Sequence, residues 1–190
     1  MDIQLMIQGT PNPNALKFVV NTPVKTQGNF TYKRADDFQH NPMAERIFEI
    51  NDSIKEVYFF DNYITVTQDG LADWDDLEEK IQDIIKNNIA NHDPNFETPQ
   101  PKQSVPVSGA THSPEVRQIN AILDETVRPA LQMDGGDIQV VDYTNNVVRV
   151  FYQGACGSCP SATMGTMKAI ENILRDQFNP EVMVELAETF

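Results

Sequence analysis

Apolar and polar positions alternate with period two through Asp2-Ile3-Gln4-Leu5-Met6-Ile7-Gln8, the pattern of a half-buried strand. Thr10-Pro11-Asn12-Pro13-Asn14 interrupts it, because two prolines remove two ladder donors and favour a turn. Ala15 to Val20 reads as a second strand. Pro42 opens a short helix to about Phe48, with Met43, Ile47 and Phe48 turned inward. Val57 to Phe60 and Tyr63 to Thr67 flank Asp61-Asn62 as a tight hairpin. From Trp74 onward the apolar positions Leu77, Ile81, Ile84, Ile85 and Ile89 recur at helical spacing.

A second set of elements begins at Ser113-Pro114, an N-cap followed by proline at the first helical position. Val116, Ile119, Leu123, Val127 and Leu131 form one apolar stripe, which Pro129 should kink or end. Asp134-Gly135-Gly136-Asp137 is a turn between helix and strand. Ile138 to Tyr143 and Val147 to Tyr152 alternate around Asn145-Asn146 as another hairpin. A helix from about Ser161 to Phe178 presents Met167, Ile170, Leu174 and Phe178 inward, and a last strand, Val182 to Leu186, can join the hairpin. Between the two sets, residues 91–113 hold Pro94, Pro99, Pro101 and Pro106 among polar residues, with no hydrophobic period. Such a segment cannot bury enough to offset its ordering entropy. As a flexible coil of roughly 23 residues it would span about 25 Å. The expected fold is therefore α+β, two small sandwich-like domains at 1–90 and 114–190, joined by a flexible Pro-rich linker at 91–113.

Charge narrows the function. The formal net charge is −14, and phosphate-rich partners bind through Lys and Arg that displace counterions. Nucleic acid and anionic membrane surfaces are both disfavoured as partners. No run of eighteen apolar residues offers a membrane span. The N-terminus carries neither a secretory signal pattern nor an Arg-rich transit segment. A cytoplasmic protein, most simply bacterial, is expected, with an organelle protein whose transit peptide is trimmed as the alternative. The first domain has no cysteine and no evident catalytic set.

The chemistry concentrates in Gly154-Ala155-Cys156-Gly157-Ser158-Cys159-Pro160-Ser161, which holds both cysteines of the chain. Two cysteines are too few and too close for a disulfide framework. The motif sits between a strand and the start of a helix, where unpaired amides and the helix dipole favour thiolates, the metal-binding form. Glycines 154 and 157 let the backbone wrap sulfur closely. Iron–sulfur clusters and structural zinc commonly take four protein ligands, and one chain supplies two thiolates. Two chains meeting at their cysteine loops would complete the set. A thioredoxin-like redox pair and a shared zinc site stay open on spacing alone, although a hairpin rather than a βαβ unit precedes the motif. His112 falls in the linker, and His40 and His92 in the first half, each read as solvated surface histidine. Trp74 and the Ile-rich helix are read as core, and Thr10 to Asn14 as a structural turn. Met164 and Met167 follow the loop, at least one of them as core.

Residues 117–188 closely resemble the NifU C-terminal-like (Nfu) domain. The resemblance runs through Leu123-Asp124-Glu125, Arg128-Pro129, Asp134 to Asp137, Gly154-Ala155-Cys156, Cys159-Pro160-Ser161, Thr163-Met164 and Ile170-Glu171. Residues 2–89 resemble the Nfu N-terminal domain through Thr10 to Phe18, Asn41 to Ala44, Ile47-Phe48, Ile64 to Thr67 and Trp74. Asp52-Ser53-Ile54 departs from that pattern, away from the cysteines. The resemblance implies an iron–sulfur cluster carrier, with a [4Fe-4S] cluster bridging a homodimer through Cys156 and Cys159 and [2Fe-2S] as the second choice. It also implies apo iron–sulfur client proteins and an upstream cluster scaffold as partners. A dithiol–disulfide oxidoreductase and a zinc-bridged interaction module are the alternatives.

Overall fold

The apolar runs of the first half become strands of one antiparallel sheet. In the computed structural model, residues 3–36, 38, 40–96, 113–157 and 160–187 are described, with the backbone alone at 160–164. These residues divide into two units, Met1–Thr98 and Pro99–Phe190, each with its own hydrophobic core. The first unit contains β1 (Leu5–Gly9), β2 (Ala15–Val20), β3 (Lys25–Lys33), β4 (Ile54–Asp61) and β5 (Tyr63–Gln68), in the order β1-β2-β5-β4-β3. Two helices, α1 (Pro42–Glu49) and α2 (Trp74–Asn88), contribute Met43, Ile47, Phe48, Leu77, Ile81 and Ile85 to the core, with Phe18, Phe59 and Ile64 from the strands. Asn41 caps α1, its side-chain oxygen accepting from the Ala44 amide at 3.3 Å. The expected turn after β1 is built by its own polar groups: the Thr10 hydroxyl donates to the Asn12 carbonyl at 2.9 Å. The indole N–H of half-buried Trp74 donates to the Pro13 carbonyl at 3.0 Å, tying this turn to α2.

Three features of this unit differ from the sequence reading. The strand β3 has no counterpart there, because Lys25-Thr26-Gln27-Gly28-Asn29 is almost wholly polar. It is an edge strand, irregular between Lys25 and Asn29, and its apolar alternation begins only at Phe30 and Tyr32. The linker was expected from Asn91. Instead, after a 3-10 turn at Ile89–Asn91, the chain runs back along β3. There the Thr26 amide donates to the Pro94 carbonyl at 3.0 Å, the Lys25 ammonium to the Phe96 carbonyl at 2.8 Å, and Phe96 is buried in the core. The rest of the predicted linker, residues 97–112 with His112, lies outside the described residues. The other two histidines are not solvated. His92 donates from Nε2 to the Val24 carbonyl at 2.7 Å and stacks on Phe59, while His40 shares a 2.8 Å hydrogen bond with the Tyr32 hydroxyl. Burial holds the His92 pKa below its ordinary value, against the raising effect of the Val24 hydrogen bond.

The second unit contains α3 (Pro114–Thr126), α4 (Arg128–Met133), β6 (Gly136–Thr144), β7 (Val147–Gly154), α5 (Pro160–Gln177) and β8 (Met183–Leu186). The Ser113 hydroxyl caps α3 by accepting from the Val116 amide. The long helix ends at Thr126 and a new one starts with Pro129 in its first turn, as the proline requires. Asn145 and Asn146 both take positive φ, 52° and 63°, the conformation of a two-residue hairpin turn. The third strand, β8, joins the sheet by pairing in parallel with β7, from Val147 opposite Met183 to Val150 opposite Leu186. A parallel partner needs a crossover, and α5 is that crossover. Ile170 and Leu174 of α5 meet Val116, Ile119 and Leu123 of α3 in the core. The cysteine loop thus lies between β7 and the start of its crossover helix. Among the described residues no helix is long and apolar enough to cross a membrane.

Candidate functional site

Alternation along β7 sends Val148, Val150 and Tyr152 to the core face, and the strand ends at Gly154 with φ 61°, a conformation that strains other residues. That reversal starts a turn closed by the Gly157 amide donating to the Gly154 carbonyl at 3.1 Å. It turns Cys156 inward, where it is 7% exposed and packs with the core. Cys159, the second candidate ligand, lies outside the described residues, as do the side chains of Ser161 and Met164. Met167 is half-buried against the core.

The wall facing Cys156 comes from a segment about twenty residues earlier. Gly136 pairs with Gly154 across the sheet, and the Ala155 amide donates to the Gly135 carbonyl at 3.2 Å. A Cβ at position 136 would stand 2.6 Å from the Cys156 sulfur and 2.7 Å from the Gln153 carbonyl oxygen. Only a residue without a side chain fits there. The sequence reading took both glycines as turn residues; Gly135 serves the turn, whereas Gly136 is a strand residue whose missing side chain makes room for sulfur. The signal that could have found it is the cysteine loop itself, but the pairing is non-local and invisible to spacing.

Beside this contact, Asp137 is 1% exposed, opposite Gln153. Its carboxylate accepts from the Ile138 amide at 2.7 Å and pairs with the Arg128 guanidinium at 3.3 Å. Arg128 also binds Asp124 at 2.7 Å and the Asn120 side chain at 3.2 Å. One guanidinium therefore joins α3, the start of α4 and the start of β6, fixing the segment that lies over the sulfur. Buried ion pairs gain specificity of geometry more than net stability.

Tyr152 entered the sequence reading only as the end of a strand. It is 5% exposed, and its hydroxyl has no hydrogen-bond partner. A buried polar group left unsatisfied costs about 1–3 kcal/mol. Burial, and secondly Cys156 when it is a thiolate, push its pKa above the ordinary tyrosine value. The arrangement offers one enclosed sulfur, a close backbone approach and an O–H donor nearby, which suits a thiolate-bound soft metal centre. Among the described residues, no three His, Cys, Asp or Glu side chains gather to hold a metal ion.

Comparison with known proteins adds the family context. The family model described as NifU-like domain matches residues 119–185, and that described as scaffold protein Nfu/NifU N terminal matches residues 3–92. The chain is 29% identical over 179 residues to a Drosophila persimilis protein named as a mitochondrial NFU1 iron–sulfur cluster scaffold homolog, and 32% identical over 184 residues to its Drosophila simulans counterpart. In both cases the match covers 94% of this chain and 62% of the relative, so the chain spans about three-fifths of their length. Among solved structures, a NifU-like protein from Saccharomyces cerevisiae is similar with a TM-score of 0.46 and 21% identity, covering 52% of this chain and 87% of that one. A Staphylococcus aureus protein is similar with a TM-score of 0.39 and 24% identity, covering 45% and 99%. The cytoplasmic expectation is corrected by these relatives, which are named as mitochondrial. It rested on the first residues of a chain that matches only part of their length.

Proposed function

Because this chain belongs to the NifU-like (Nfu) family, an Nfu N-terminal domain followed by a NifU-like domain, we propose that it carries an iron–sulfur cluster as cargo and delivers it to apo-proteins. Cys156 and Cys159 are the proposed ligands. Two chains supply four thiolates, so the cargo is a cluster held at a homodimer interface, [4Fe-4S] ahead of [2Fe-2S]. The observation that carries this reading is the enclosure of the Cys156 sulfur by the side-chain-free Gly136, within the part of the chain that matches the NifU-like domain.

Delivery is ligand exchange. A client thiolate forms a bond to iron as a carrier cysteine gives one up, the departing sulfur takes a proton, and no electron changes hands. An upstream scaffold that releases clusters would load the carrier by the same exchange in reverse. The protein performs no net transformation of a substrate and is a carrier rather than an enzyme.

The test is anaerobic reconstitution with iron and sulfide, followed by Mössbauer spectroscopy and size-exclusion chromatography with metal analysis. One [4Fe-4S] centre per dimer is expected, and none in Cys156→Ala. Stoichiometric zinc, or a reversible Cys156–Cys159 disulfide without iron uptake, would overturn the carrier reading. A cluster that survives in Cys156→Ala would overturn the ligand assignment.

A further inference from the structure

The ring of Tyr152 is explained by the sheet, but its hydroxyl is not. Val148, Val150 and Tyr152 alternate onto the core face of β7, and Tyr152 stands opposite Ile138 in the register. Phenylalanine would fill the same slot without burying a polar atom. Among the described residues, other buried hydroxyls without partners lie in the first unit, Thr31 on β3 and Thr67 on β5 among them. In the second unit the residue with the orphan hydroxyl sits two register pairs from Gly136 and Gly154, the pair from which the Cys156 turn departs. Tyr152 and Cys156 are buried in the same hydrophobic core.

We propose that the Tyr152 hydroxyl donates a hydrogen bond to iron-bound sulfur at the cargo site, and so positions and retains the cluster from the protein side. The inference rests on the carrier reading. A neutral thiol is a weak acceptor, which leaves the hydroxyl unmatched in the empty protein. An iron-bound thiolate or sulfide carries negative charge and accepts strongly, so loading supplies the partner that the fold withholds. Hydrogen bonds to cluster sulfur are among the protein's means of setting reduction potential. Tyr152 acts through the sulfur and not as a ligand, so it is a positioning residue.

Tyr152→Phe in the full chain separates this role from a structural one. The empty variant should be as stable to heat as the wild type, or more so, because an unsatisfied group has been removed. The loaded variant should lose its cluster to an iron chelator about tenfold faster, as expected for loss of a hydrogen bond to a charged group, and its reduction potential should fall. In the wild type, exchange into deuterated water should shift the iron–sulfur stretching bands in the resonance Raman spectrum, and Tyr152→Phe should reduce that shift. A wild type that loads normally, beside a variant with the same loss rate, potential and Raman shift, would sink this proposal alone. So would an empty variant markedly less stable than wild type, since the hydroxyl would then have a partner without cargo. Failure of the wild type to take up any cluster would remove the carrier reading and this inference together.

Discussion

At position 136 a single methyl group decides whether the cysteine loop can close. Gly136→Ala would place carbon 2.6 Å from sulfur and 2.7 Å from a backbone oxygen, and the backbone cannot yield as a flexible side chain can. The expected cost is about 1–3 kcal/mol of stability, together with loss of cluster uptake, measured by urea unfolding and by iron content after reconstitution. Gly165 is the control: it lies in α5 with nothing within 4 Å of a built Cβ. Gly165→Ala should leave uptake unchanged and stabilise by about 0.5–1 kcal/mol. His92 gives a prediction in pH. Its pKa is lowered in the folded protein from 6.5, so the unfolded chain binds the proton more readily. Stability is then full above about 6.5 and declines as pH falls below it, by at most about 1.4 kcal/mol per pH unit. Glu56, raised above 4.5 chiefly by burial, has the opposite sign, contributing stability that is lost as pH rises. His92→Gln, which keeps an N–H for Val24, isolates the histidine: its stability should vary less between pH 7 and 5 than that of the wild type. An unchanged slope would show that His92 does not titrate differently in the two states.

The segment from His92 to Phe96 works as a strap across the edge of β3. It satisfies Thr26 and Lys25 and inserts one aromatic ring among Tyr32, Phe59 and His92. Phe96→Ala should destabilise the first unit by about 3–5 kcal/mol. The chain's one tryptophan, Trp74, lies in that unit, so its fluorescence in urea reads the loss there. A midpoint equal to wild type would mean the strap adds nothing. Elements with local rules were legible from sequence: α1 from Pro42 at its start, α3 from its Ser113 cap, α2 from its isoleucines, both hairpins from Asp61-Asn62 and Asn145-Asn146. The strap and β3 were not, since the strap has no hydrophobic period, β3 shows one only at Phe30 and Tyr32, and the polar start of β3 is held by the strap. The same limit applies at the site. The cysteine loop is a local motif and stood out, while Gly136 and Tyr152 matter through strand register, which sequence spacing does not display.

For the molecule as a whole, charge and division into two units set the expectations. Two copies, each at −14, repel as they meet. The Debye length falls from about 30 Å at 0.01 M salt to about 10 Å at 0.1 M, so the loaded dimer should associate more tightly at the higher salt in anaerobic sedimentation. A salt-independent constant would place the acidic groups away from the contact. If the first unit holds a client while the second delivers, tethering raises the effective concentration of cargo. A chain lacking residues 3–96 should bind the cluster normally and transfer it more slowly, and equal transfer rates to every client would sink that role. The parallel pairing of β7 with β8 has a further consequence, in the order of synthesis. The strand β8 begins at Met183, about two dozen residues after Cys159. At about 5–20 residues per second, both cysteines are made roughly 1–5 s before the strand that completes their sheet. By then every residue of the first unit, Phe96 included, has long been polymerised. In a newborn chain the sheet that carries the cysteine loop is incomplete for that interval, and oxidants and stray metals can meet Cys156 before Val182 and Val184 have closed the core beneath it.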